Sequence, residues 1–163
     1  MQTDYVTPAG ATIGHVHLKV ANIDRALEFY HKLLGFEIIE RYGEDAVFIS
    51  AGGYHHHIAL NTWHSKDMPP APKNHAGLYH VAILYPERKD LSAILRRVQD
   101  AGIKLEGAAD HGVSEAVYFS DPDGNGVELY WDKPREIWPR DTDGKLTLTN
   151  DRLDIDGLLS LTA

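Results

Sequence analysis

The chain repeats itself, and the repeat dictates what it can fold into. Two segments, Gly14-His15-Val16-His17-Leu18-Lys19-Val20 and Leu78-Tyr79-His80-Val81-Ala82-Ile83-Leu84, each alternate apolar and polar residues as a strand does. Each is followed by an amphipathic helical stretch, a glycine turn and further strands, so each copy reads βαβββ. One copy cannot cover both its own sheet and its own helix, so the pair is the stable unit. The expected fold class is α+β: two βαβββ modules forming a curved mixed sheet cup with helices on the outer face. The first module covers residues 12–66 and the second 77–134. A tail runs from 135 to 163, and the whole is one structural unit. The Pro-rich polar stretch at 64–76 reads as the link between copies.

The first helix carries Ala26, Leu27, Tyr30, Leu33 and Leu34 at helical spacing, with Asn22 or Asp24 as cap and Gly35 as terminator. The second carries Leu91, Ile94, Leu95 and Val98 and stops at Ala101-Gly102. Strands are expected at Phe36–Ile38, Ala46–Ile49 and Tyr54–Leu60, then near Ile103–Leu105, Glu115–Phe119 and Gly126–Trp131. The run Asp121-Pro122-Asp123-Gly124-Asn125-Gly126 is a strong turn signal. Ile155, Leu158, Leu159 and Leu161 suit a short helix docked at the end of the tail.

Laid over each other, the copies match His15 to His80 but Ala59 to Glu128. Val127 and Leu129 must face the helices, so Glu128 points to the concave side, and the same parity turns His15 and His80 that way. Two modules would then pool two imidazoles and one carboxylate and leave other coordination positions open, which is a catalytic pattern of metal ligands. A lone histidine at a strand start is ordinarily a polar residue on a wet face; the shared place in the repeat argues for more here. His55-His56-His57 reads either as a polar cluster at a strand entrance or as an acid-base group beside the metal. Parity with Ala59 turns His55 and His57 to the concave face and His56 to the helix side unless the strand bulges.

The rest of the composition narrows the function classes. A formal net charge of −8 over 163 residues disfavours nucleic acid and anionic membranes as partners. No apolar run approaches the roughly 18 residues of a membrane span, and the N-terminus shows no signal pattern. With no Cys there is neither a disulfide framework nor a thiolate metal site, and a cytoplasmic protein is the expectation. Exposed sheet edges need cover, so a homodimer is expected as well.

These residues carry a resemblance. Gly14–Val20, Ala26-Leu27-Glu28-Phe29-Tyr30, Leu34-Gly35-Phe36, Tyr79-His80-Val81-Ala82 and Asp121–Tyr130 together resemble the vicinal oxygen chelate superfamily over roughly residues 12 to 134. That superfamily includes glyoxalase I, the bleomycin- and fosfomycin-resistance proteins and the type I extradiol ring-cleavage dioxygenases. The resemblance implies paired βαβββ modules around a metal that polarises neighbouring oxygens of a substrate. The extradiol (catechol 2,3-) dioxygenases are the nearest, and their two-His, one-Glu ligand set maps to His15, His80 and Glu128. Their catalytic His on the last strand of the first module maps to His56 by letter and to His57 by face. A Tyr before the Asp-Pro turn maps to Tyr118, and a further His maps to His111. The resemblance therefore implies an oxidoreductase of aromatic catabolism. It would use Fe(II), or Mn(II) or another divalent metal, to cleave a catechol-like aromatic small molecule with O2. Glyoxalase I takes a ligand from the last strand of both modules, and Ala59 departs from that pattern. Two alternatives stay open: a glyoxalase- or epimerase-like metal-dependent lyase or isomerase, and a non-catalytic small-molecule-binding resistance protein.

Overall fold

The computed structural model describes residues 4–162. Strand β1 (Val16–Lys19) lies parallel to β4 (Ile58–Asn61). Strands β3 (Ala46–Ser50) and β2 (Glu37–Tyr42) follow antiparallel, giving the order β1-β4-β3-β2. The second sheet repeats the plan with β5 (Val81–Leu84), β8 (Gly126–Asp132), β7 (Ser114–Ser120) and β6 (Gly107–Asp110), in the order β5-β8-β7-β6. A further strand from the tail, β9 (Asp151–Arg152), adds to β6. The fold is mixed α+β with two mixed sheets. The registers coincide: Val16 pairs with Ile58 as Val81 pairs with Val127. Ala59 and Glu128 therefore hold the same place in their modules.

Period-two alternation assigns the faces. Leu18, Leu60 and Val47 turn one way in the first sheet, and Leu129 and Val117 do so in the second; all are buried. Helix α1 (Ile23–Leu27) and helix α2 (Arg88–Asp100) share one continuous core with these side chains. Leu91, Leu95 and Val98 of α2 are fully buried, each worth about 1.5–3 kcal/mol against exposure. Asn22 caps α1 by accepting from the Arg25 N–H at 2.9 Å.

Helix α1 runs on as a π-helical turn, Glu28–Leu33, closed by the Leu34 N–H on the Phe29 carbonyl at 2.9 Å. The wider turn brings the consecutive Phe29 and Tyr30 inward together. A strict 3.6-residue stripe leaves Phe29 out, yet its ring packs 6.0 Å from Phe119 of the other module.

Two expected strands are placed differently. Residues 54–57 form bends before β4 rather than its first half. Ile103 and Leu105 are not a strand: they are partly buried loop side chains against the core, and pairing resumes only at β6. Around Ile103 and Leu105 the alternating pattern records burial on one side, which a loop can satisfy without a ladder.

The Asp-Pro turn between β7 and β8 clasps the modules together. Asp121 Oδ1 accepts from the Asp123 and Asn125 N–H groups, both at 2.8 Å. Its Oδ2 accepts from Tyr30 Oη at 2.9 Å. Asp123 Oδ1 accepts from the Ala21 N–H at 2.9 Å and from Arg25 Nη2. The tail is likewise held: α3 (Ile155–Leu159) buries Leu158, and Arg96 Nη2 of α2 donates to the Leu159 carbonyl at 2.8 Å. Among the described residues no helix is long and apolar enough to cross a membrane.

Candidate metal and proton-transfer site

Four of the sequence-derived site residues form one connected chain in the second module. Glu128 on β8 and Tyr118 on β7 face each other across the ladder, and Tyr118 Oη lies 3.1 Å from Glu128 Oε1. His80, just before β5, places Nε2 2.9 Å from Glu128 Oε2. His111, in the turn between β6 and β7, places Nε2 2.7 Å from Tyr118 Oη. Glu128 is buried, and a buried carboxylate needs partners of this kind. Burial, followed by the Glu128 charge and hydrogen bond, pushes the Tyr118 phenol up to about 12. Tyr118 therefore keeps its hydrogen at neutral pH. That single hydrogen faces two acceptors, Glu128 Oε1 and His111 Nε2.

The first module presents a different cluster. His15, just before β1, stacks on His56 with ring centroids 4.4 Å apart, and His56 also meets Phe48 edge-on at 5.1 Å. Phe48 shares the row of Ala59 and His17, so His56 lies on the concave side. The parity expectation for His56 fails because regular strand geometry begins only after it: the first ladder bonds of this stretch are made by the His57 N–H and carbonyl. Burial and then the neighbouring His15, His55, His17 and His57 hold the His56 imidazole below its usual value. His57 is pinned from below: Ser50 Oγ lies 2.9 Å from its Nδ1, and the Ala51 N–H donates to the same atom at 3.4 Å. A nitrogen that receives an N–H carries no hydrogen, so Nε2 of neutral His57 does.

His15, His57 and His80 line one cavity of about 790 Å³ between the modules, with Phe36, Leu84 and Tyr130 among its apolar walls. Among the described residues no group of three His, Cys, Asp or Glu side chains is gathered closely enough to hold an ion. The structure thus brings His80 and Glu128 together, keeps His15 on His56, and opens all three histidines of the cavity to one space. Donor chemistry and spacing of the His80–Glu128 pair fit a divalent cation. Two ligands about 2.1 Å from an octahedral ion and at right angles to each other are about 3 Å apart. The observed N···O separation is 2.9 Å. Nδ1 of His80 is buried with no hydrogen-bond partner, so the ring is fixed through Nε2 alone.

Sequence reasoning missed Ser50 and Thr149. Ser50 follows from extending the β3–β4 register one pair past Ile49 and Ile58, which sets it beside His57. Thr149 contacts His111 through its backbone, which no residue type announces.

Paired βαβββ modules thus enclose a shared cavity, with an imidazole–carboxylate pair at its border. Residues 12–129 match the family model described as the Glyoxalase/Bleomycin resistance protein/Dioxygenase superfamily, and the chain belongs to that family. It is 41% identical over 147 residues to a catechol-2,3-dioxygenase of Bacillus subtilis (strain 168), covering 90% of this chain and 50% of that protein. It is 30% identical over 128 residues to biphenyl-2,3-diol 1,2-dioxygenase 3 of Rhodococcus globerulus, covering 78% of this chain and 65% of that one. The chain thus spans only about half to two thirds of these relatives. A solved glyoxalase/dioxygenase from Nostoc punctiforme superposes with a TM-score of 0.64 at 17% identity, covering 82% of this chain and all of that one, which is a likeness of fold.

Proposed function

We propose that this chain carries the catalytic module pair of an extradiol dioxygenase, a metal-dependent enzyme that opens a catechol-like aromatic diol with O2. The observation that carries the reading is the His80–Glu128 contact of 2.9 Å, backed by Tyr118 and His111 and bordering the cavity that His15 also lines. His80 and Glu128, joined by His15 from the other module, would hold the ion, Fe(II) by preference and Mn(II) as a substitute. When bound, the ion would favour ionisation of the diol and supply the Lewis acidity that brings diol and dioxygen together.

The remaining tasks fall to the chain's own side chains. Phe36, Leu84 and Tyr130 take the faces of the ring and exclude water. His57 presents Nε2–H to the cavity as a hydrogen-bond donor to an oxygen of the diol or of dioxygen; Ser50 and Ala51 hold it in that tautomer. Tyr118, whose one hydrogen faces Glu128 and His111, offers its hydroxyl oxygen as acceptor to a substrate hydroxyl. Ala59 at the place equivalent to Glu128 supports a three-ligand set over the four-ligand set of a lyase.

The test is oxygen uptake with catechol after anaerobic loading with Fe(II) or Mn(II). The product is expected to be heavier than the diol by both atoms of one dioxygen. His80→Ala should lower turnover by more than ~100-fold, beyond what losing an outer partner costs. No uptake with either metal, or unchanged turnover in the variant, removes the proposal. Turnover without O2 on Ni(II) or Zn(II) moves the protein to the lyase reading.

A further inference from the structure

The C-terminal tail lies beyond the residues matched by the family model, yet it grips the turn that carries His111. The Thr149 N–H donates to the His111 carbonyl at 3.0 Å, and Thr149 Oγ1 donates to the Asp110 carbonyl at 3.2 Å. The Lys133 N–H donates to the Val113 carbonyl at 2.8 Å, and Lys133 Nζ bonds both oxygens of Asp110 at 2.7 and 2.6 Å. Asp110 Oδ1 also accepts from the Gly112 N–H at 2.8 Å. Pro139 closes over Gly112, which sits at φ +77° with no room for a side chain: a Cβ there would meet Pro139 Cγ at 2.8 Å and Thr149 Oγ1 at 3.3 Å.

One of these contacts reaches the imidazole. His111 Nδ1 lies 3.0 Å from the Thr149 carbonyl oxygen. A carbonyl only accepts, so Nδ1 must carry the hydrogen, and in the neutral ring Nε2 is then a bare lone pair. That lone pair faces Tyr118 Oη at 2.7 Å. We propose that the tail is part of the working site: through the Thr149 carbonyl it locks His111 in the Nδ1–H tautomer and aims Nε2 at Tyr118 as a hydrogen-bond acceptor. With Nε2 bare, the one hydrogen of Tyr118 goes to His111 at 2.7 Å rather than to Glu128 Oε1 at 3.1 Å, which sets the direction of the hydroxyl that meets the substrate. Thr149 and Gly112 are positioning residues in this scheme; they act through His111. The kinetic consequence rests on the ring-cleavage reading, whereas the tautomer does not.

The test reads the tautomer directly, by nitrogen NMR of the imidazole rings in histidine-labelled protein, with His111→Gln identifying the signal. In the native chain His111 should be the Nδ1–H form, although the free side chain prefers Nε2–H. Gly112→Ala pushes Pro139 and Thr149 away, and the His111 signal should shift toward the Nε2–H form. Lys133→Met, which cuts the other anchor and spares the positive-φ glycine, should shift it part of the way. With diol and metal, Gly112→Ala should lower kcat about tenfold with KM within about twofold, and should add little in a His111→Gln background. An Nε2–H tautomer in the native protein overturns the proposal. So does an unshifted Nδ1–H signal in both folded variants. If no oxygen uptake is found at all, the ring-cleavage reading fails while the tautomer measurement still decides the role of the tail.

Discussion

In the first module Ala59 stands across the ladder from His17; in the second, at the same register, Glu128 stands across from Ala82. Around Ala59 the polar groups are imidazoles that stack on one another and on Phe48, with no carboxylate in the row beside them. Around Glu128 they form a hydrogen-bonded line from His80 to His111. The histidines of the two modules also differ in tautomer. His57 receives an N–H on Nδ1 and presents a hydrogen, whereas His111 gives Nδ1–H to a carbonyl and presents a lone pair. The repeat has kept its backbone and divided the polar groups: one half fixes a carboxylate and a hydrogen-bond acceptor, and the other gathers stacked imidazoles and a hydrogen-bond donor.

The comparison breaks hardest if the carboxylate is copied. Ala59 is 1% exposed, and its row partners are Phe48 and His17, whose imidazole is held below its usual value by burial and then by His15. Ala59→Glu should cost about 3–5 kcal/mol in urea unfolding of the metal-free protein, because it buries an unpaired charge. The reverse operation is nearly as large. Glu128→Gln should weaken divalent-metal binding by more than ~100-fold in equilibrium dialysis, whereas His17→Asn, at the matching row of the first module, should change it by less than about threefold.

Histidine division is a smaller effect. His57→Ala should lower kcat about tenfold, while His56→Ala should stay within about twofold, since only His57 has its ring fixed by Ser50 and Ala51. Equal losses would mean that the two are interchangeable and that the tautomer argument for the first module is wrong.

Smallest is the seam between modules. Tyr30→Phe should cost about 1 kcal/mol, the net worth of its bond to Asp121. Burial, and then the Asp121 charge and hydrogen bond, raise the Tyr30 pKa far above that of an exposed phenol. A tyrosine in the unfolded chain ionises near 10. Above that pH the unfolded state therefore holds fewer protons than the folded one, so stability present below pH ~10 falls as pH rises, by up to ~1.4 kcal/mol per pH unit for this group. Tyr30→Phe should flatten the decline by one proton's worth in unfolding curves taken between about pH 9 and 11.

Much of the site was legible where residues lie inside a ladder. From Ile58 onward and from Gly126 onward, parity alone puts Ala59 and Glu128 on the concave face, and the structure agrees. The same logic fails three residues earlier, because His55 and His56 lie outside the strand, where no pleat fixes which way a side chain points. Phe29 escaped for a related reason: a π-helical turn breaks the 3.6 period on which the stripe was read. The Asp121–Gly126 run announced a turn, and nothing in it announced that Tyr30, Arg25 and Ala21 would be its partners.

The order of elements, the equivalence of the two copies, the face of every ladder residue and the loss of one carboxylate at Ala59 are set by the sequence, because each depends only on periodicity and neighbours along the chain. The grip of the tail on His111, the pairing of β9 with β6 and the resting of His15 on His56 were decided by tertiary structure alone. Those contacts join residues far apart in the chain, and at Thr149 they run through a main-chain carbonyl that every residue type carries alike.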